Sequence, residues 1–426
     1  MDTITSIADS YITEFAPAEM ANIAAPSLYY VTPTRIAKAY NFPAADGHGV
    51  KVGIISLGGG WLQSDLAKSM TDLGVKNYPA SIPSVTINGA VPTWTAGGAD
   101  VENTLDIYCI AGLVPRANIV MYSAPNDSIS FSTNPASAEA SNSGIGFASA
   151  INKAIDDGCD VISISWGSTE KIISGNIAYY CGDYMKNIFA KAAAQGVTVC
   201  IASGDYGSAA VSSINYPSIQ YPAGNSNITA VGGTLLTTNA DDSRLTEASY
   251  ASSGGGVSDW IAKPAYQEGW NYKTYNSTTG VTSANIALTT RGVPDVSAPF
   301  TSYPMYFNGS TVTVSGTSAS APIIAGFIAR LVQLTGRRLG NINPFMYLNY
   351  STNMFYDLYS GTDTVTSTAG YSSQAGWDPI TGLGVPHGLD WYTKLKSSAS
   401  SIFPAASTGF RPKSGPTYPR RTTGAR

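Results

Sequence analysis

The sequence predicts an α/β fold, a mostly parallel central sheet flanked by helices and held in a single domain. Three observations lead there. Short apolar, β-rich runs recur along the chain and stop at glycine or turn residues. Longer helical stretches fall between them, the alternation that a parallel sheet requires. Hydrophobic residues fill 43% of the 426 positions, ample for a large core.

Residues 50–57 form the first strand, closed by Gly58-Gly59-Gly60. Residues 99–111 form a helix on which Val101, Leu105 and Tyr108 recur at spacings of four and three. A strand over 117–122 and a helix over 146–157 come next, then a strand over 161–165 and a helix over 176–195. Strands over 197–202 and 228–231 extend the series, and a last apolar helix covers 323–334. No linker interrupts 32–396, so one domain follows a short N-terminal extension, 1–31. Residues 397–426, rich in Ser, Thr, Pro and Gly, read as a disordered tail.

The tail is basic and the body acidic. No acidic residue follows Asp390, whereas Arg411, Lys413, Arg420, Arg421 and Arg426 lie in the tail. The body keeps 19 basic against 28 acidic residues, which argues against nucleic-acid binding. Charged residues are only 12% of the chain, so its surface is made polar by hydroxyls and amides and changes little with pH. Such a surface suits work in acid, and equally a secreted protein. Cys109, Cys159, Cys181 and Cys200 show no C-x-x-C spacing, and their three pairings stay open. Residues 1–25 lack the pattern of a signal peptide, and Arg330 breaks the longest apolar run, so neither an export signal nor a membrane span is expected. A monomer is the expected state.

Ser315-Gly316-Thr317-Ser318-Ala319-Ser320-Ala321-Pro322 sets a serine among small residues at the start of the last helix. Unpaired N–H groups there favour developing negative charge, so Ser318 is presented as a nucleophile. A serine needs a base, and the chain has only two histidines, His48 and His387. Glu102 and Asp106 offer another. Four residues apart on the helix over 99–111, they share one face, where a common proton lets one tune the other. A third acid, Asp205, follows the strand over 197–202, at the carboxyl end where ligands of parallel sheets gather. If protonated, it can donate a hydrogen bond to an oxyanion.

Further segments join these in order: Thr32-Pro33-Thr34-Arg35-Ile36, Ser163-Ile164-Ser165-Trp166-Gly167, Ala230-Val231-Gly232-Gly233-Thr234, Pro294-Asp295-Val296 and Gly376-Trp377-Asp378. Together they resemble the sedolisin family, the serine-carboxyl peptidases with a subtilisin-like fold. The resemblance covers most of 32–396.

It implies Ser318 as nucleophile, Glu102 as general base and acid, Asp106 as its partner and Asp205 as oxyanion donor. It implies that Ser165, Trp166 and Gly167 pair with the main chain of a protein or peptide substrate and border its side-chain pocket. It implies one structural Ca2+ ion at Asp357, Leu358, Gln374, Gly376 and Asp378, an acidic optimum, and an extracellular or acidic compartment. Endopeptidase and tripeptidyl-peptidase action both remain open. Two features depart from the family pattern. Ser56 stands where some members carry a glutamate, and only 31 residues precede Thr32 although members are usually made with a large propeptide. Two competing expectations remain, a histidine-dependent subtilisin-like enzyme and a non-hydrolytic structural or binding protein that reuses the fold.

Overall fold

The computed structural model describes residues 5–6, 13–14, 30–125, 142–170, 178–210, 216–364 and 369–398. The expected tail, 397–426, lies outside them except for Ser397, the last residue of the helix Gly388–Ser397, and Ser398. The central sheet contains β1 (Lys51–Leu57), β2 (Ser84–Thr86), β3 (Asn118–Ala124), β4 (Val161–Ile164), β5 (Thr198–Ala202), β6 (Thr229–Thr238), β7 (Arg244–Ser249) and β8 (Val296–Pro299). The order across it is β7-β6-β5-β4-β1-β3-β2, with β8 also paired to β6. Only β7 runs antiparallel; the other pairings are parallel.

Helices cover both faces: α1 (Pro33–Ala39), α2 (Gln63–Asp72), α3 (Gly98–Leu113), α4 (Asn142–Asp156), α5 (Ala178–Ala194) and α6 (Thr317–Thr335). Side chains of a strand alternate between faces. Thus Val52 and Ile54 of β1 join the core beneath α3 and α6, whereas Ile55 and Leu57 join the core beneath α4 and α5. Burial on both sides explains why these strands read as near-continuous apolar runs.

Two elements differ from expectation. β6 continues to Thr238 because its second half pairs with β7, a partner that the apolar run alone does not reveal. α6 begins at Thr317, ahead of Pro322, rather than at residue 323. Proline reads as a helix start, yet here it sits inside the helix. α6 is long and apolar enough to cross a membrane, but most of it is buried in the core. It packs against α3 at close range: a Cβ on Gly326 would stand 2.8 Å from Leu113 Cδ1. That approach brings the helix bearing Ser318 against the one bearing Glu102 and Asp106. Cys109, Cys159 and Cys200 are buried free thiols.

Candidate active site

α3 is buried on every side from Asp100 to Leu113, and its first turn is tied to the glycine turn after β1. Asp100 accepts hydrogen bonds from Thr95 N (2.7 Å) and Gly97 N (3.0 Å), and another from Gly60 N. Asn103 donates to Gly58 O (3.1 Å) and Gly60 O (3.2 Å), and Ser56 donates to Gly58 O (2.8 Å). Glu102 is therefore flanked by two residues that lock its helix to the sheet. Sequence reasoning missed both, although an acid in a first helical turn is a recognisable capping signal.

Glu102 and Asp106 lie one turn apart, each 0% exposed. Burial first, then the nearby Glu102 charge, pushes Asp106 well above the ordinary aspartate range, while the Ser165 hydroxyl pulls it back down. Two carboxylates this close and this deeply buried disfavour carrying both charges at once, which is the cause of the upward shift at Asp106.

Ser318 is the second residue of α6, preceded by the helix cap Gly316 with φ 150°. Its Oγ is buried and has no hydrogen-bond partner among the described residues. Its carbonyl lies 3.3 Å from Ser165 Oγ, which in turn lies 2.9 Å from Asp106 Oδ1. Ser165 thus spans the gap between the acid pair and the serine backbone. Neither histidine takes part: His48 meets Arg116, and His387 meets Asn41 and Asp390.

Asp205 follows β5, and its Oδ1 lies 2.8 Å from both Thr317 N and Thr317 Oγ1. Its Oδ2 is buried without a partner among the described residues. Burial raises this carboxyl well above its usual range, the Thr317 bonds oppose the shift, and the Glu102 charge adds to it. Gly316 is what admits Asp205 here, since a Cβ on that residue would stand 2.8 Å from Asp205 Oδ2. The arrangement has a carboxyl pair on one side of the serine backbone and a third carboxyl against the residue before it.

Trp166 and Gly167 open the strand Trp166–Thr169, while Ser165 precedes it and turns its hydroxyl inward. One edge of this strand pairs antiparallel with Gln220–Tyr221 and the other with Thr5–Ser6. The outer edge therefore accepts an extended segment.

The implied cation ligands also converge. Asp357 Oδ2 accepts a bond from Gly376 N (2.7 Å), whereas Oδ1 is buried without a partner. Asp378 Oδ2 accepts from Thr381 Oγ1 (3.1 Å) and Gln374 N (3.3 Å), and the same threonine hydroxyl lies 3.5 Å from Leu358 O. Burial raises Asp357, and takes Asp378 to about 7 against the opposing bonds from Thr381, Ile380 and Gln374. The Gln374 side-chain Nε2 donates to Asn271 O (2.7 Å) and Trp377 O (3.1 Å), which fixes the orientation of its amide. Among the described residues no cluster of three or more His, Cys, Asp or Glu side chains forms a metal site. A cation here would rest on two carboxylates and loop carbonyls, a donor set that fits a hard ion.

The sequence pattern of the Subtilase family matches residues 6–344. The chain belongs to that family. Its relatives place it among the sedolisins. Kumamolisin of Bacillus sp. (strain MN-32) is 36% identical over 400 residues, covering 89% of this chain and 66% of that protein. Tripeptidyl-peptidase 1 of Dictyostelium discoideum is 32% identical over 234 residues, covering 53% of this chain and 38% of that protein. The chain thus spans less than two thirds of the length of either relative. The structure of Pseudomonas sedolisin, a serine-carboxyl proteinase complexed with two molecules of pseudo-iodotyrostatin, superposes with a TM-score of 0.70 at 26% identity, covering 87% of this chain and 99% of that one.

Proposed function

We propose that this chain hydrolyses peptide bonds in acid through an acyl-enzyme on Ser318. The observation that carries the reading is the Ser165 bridge, which brings the Glu102–Asp106 pair against the backbone of Ser318, with Asp205 beside Gly316. Ser318 Oγ attacks the substrate carbonyl carbon while its proton passes to Glu102, and Asp106 shares the proton load. The oxyanion accepts a hydrogen bond from protonated Asp205. Glu102 then gives its proton to the departing amine, and water, deprotonated by Glu102, releases the acyl group. Glu102 must be ionised while Asp205 keeps its proton. Burial raises Asp205, so the two demands overlap at acid pH.

The substrate would lie as an extended strand along Trp166–Thr169, the edge that takes up Thr5–Ser6. Two of the relatives named above, a tripeptidyl-peptidase and kumamolisin, favour hydrolysis over a non-hydrolytic role. An extracellular or acidic compartment fits the proposed pH range. One Ca2+ ion held by Asp357, Asp378 and the carbonyls of Leu358, Gln374 and Gly376 would pin the loop around Gly376 to the body and serve stability.

The test is mass spectrometry of peptides released from a denatured protein mixture at about pH 4. Wild type is expected to release peptides and Ser318→Ala none. Tripeptides alone would indicate tripeptidyl-peptidase action, and internal fragments endopeptidase action. Equal release by Ser318→Ala would overturn the proposal.

A further inference from the structure

Ser165 is fully buried at the junction between β4 and the strand Trp166–Thr169. Its hydroxyl has two acceptors within reach, Asp106 Oδ1 at 2.9 Å and the Ser318 carbonyl at 3.3 Å. A hydroxyl has one proton and serves one acceptor at a time. The second acceptor has a particular history in the sequence. A regular helix would supply the Ser318 carbonyl with the N–H of residue 322, but that residue is Pro322, which has none. Pro322 thus removes the usual donor from the carbonyl of the nucleophile, and Ser165 Oγ stands where it can replace it.

We propose that Ser165 is a positioning residue that couples the proton carried by the Glu102–Asp106 pair to the first turn of the Ser318 helix. With Asp106 ionised, the hydroxyl donates to Oδ1 and favours that charge. When Asp106 takes up a proton, the hydroxyl turns to the Ser318 carbonyl. The inference rests on the catalytic reading above and gives Ser165 a task distinct from contact with substrate main chain.

The ionisable groups around this point are few. On α3 they are Glu102, whose charge raises Asp106, and Cys109, whose thiol is raised by burial first and then by Asp106 and Glu102. From the loop after β5 comes Asp205, coupled to Glu102. Among the described residues, only the Ser165 bond opposes the upward pull on Asp106. Removing it makes the acid pair bind its proton more tightly.

The test is the pH dependence of kcat/KM on a peptide substrate. Ser165→Ala is expected to move the acid limb to higher pH by about one unit. Ser165→Cys, close in volume but a much weaker donor, is expected to do the same and guards against a packing defect in the alanine variant. Ser163→Ala, which removes a buried hydroxyl without a partner, is expected to leave the limb in place. In an Asp106→Asn background, Ser165→Ala is expected to add no further shift. An unmoved limb in both Ser165 variants, or the same shift with and without Asp106, would overturn the inference. A wild type with no activity in acid would instead overturn the catalytic reading beneath it.

Discussion

Thr317 presents both its backbone N–H and its hydroxyl to one oxygen of Asp205, each at 2.8 Å, and the other oxygen is buried with no partner among the described residues. A neutral Asp205 therefore carries its proton on Oδ2, the oxygen facing Gly316. In the proposed mechanism, loss of that proton sets the alkaline limb of activity. Asp205→Ala is expected to lower kcat by about 10²- to 10³-fold. Asp205→Asn keeps an N–H donor at every pH, so its alkaline limb should move upward while some activity survives. Steady-state profiles of the two variants check this, and identical limbs in Asp205→Asn and wild type would assign that limb elsewhere.

Gly316 is required twice over. Its φ of 150° disfavours any side chain, and a Cβ would crowd Asp205 Oδ2. Gly316→Ala is expected to cost about 1–3 kcal/mol of stability. Displacement of Asp205 should also lower kcat, by up to about 10²-fold, with less effect on KM. Thermal melts and kinetics on one preparation separate the two effects.

Buried acids also give the fold a dependence on pH. Asp363 is raised well above its ordinary value of 3.8 by burial first, with the Tyr371 N–H opposing and the Asp378 charge adding. The folded state then keeps a proton that the unfolded chain loses above about 3.8, so its stabilising contribution is full below that pH and declines as pH rises through the folded value. The slope is about 1.4 kcal/mol per pH unit for one retained proton. Asp363→Asn mimics the protonated acid and should melt like wild type at acid pH, above wild type at neutral pH. Parallel curves for the two proteins would contradict this.

The loop at Asp357 and Asp378 supplies another check. Chelation is expected to lower Tm by about 5 °C if free Ca2+ previously stood at about 100 times Kd. Asp357→Ala should melt at the lower temperature with or without added Ca2+. Calorimetric titration of the chelated wild type gives stoichiometry directly, with one ion expected. A chelated protein that neither binds Ca2+ nor changes its Tm would count against the site.

Much of this architecture was legible in the sequence. Strands buried on both faces must be short and apolar, and glycine turns mark their ends, so the alternating elements between residues 50 and 231 stood out. Glu102, Asp106, Asp205 and Ser318 were named from residue type and resemblance; in the fold the Ser165 hydroxyl lies between Asp106 and the Ser318 carbonyl, and Asp205 meets Thr317. What sequence could not reveal depends on contacts between distant segments. The first turn of α6, Thr317 to Pro322, lay outside the apolar run 323–334, although Ser318 was placed at the start of the helix. The Ser165 hydroxyl turns inward because strand pairing breaks just before Trp166, a feature no periodicity reports. Asp363 carried no signal in the sequence, since its burial comes from packing against residues far along the chain, Ser208 among them.

The central claim is that a carboxyl pair, rather than a histidine, activates Ser318. Its most direct test is kcat/KM against pH for wild type and Glu102→Gln, with folding of both verified by thermal melts. The account predicts a bell confined to acid pH in wild type and loss of activity by about 10³-fold or more in the variant across the whole range. A Glu102→Gln protein that cleaves the same peptide at the wild-type rate would contradict it.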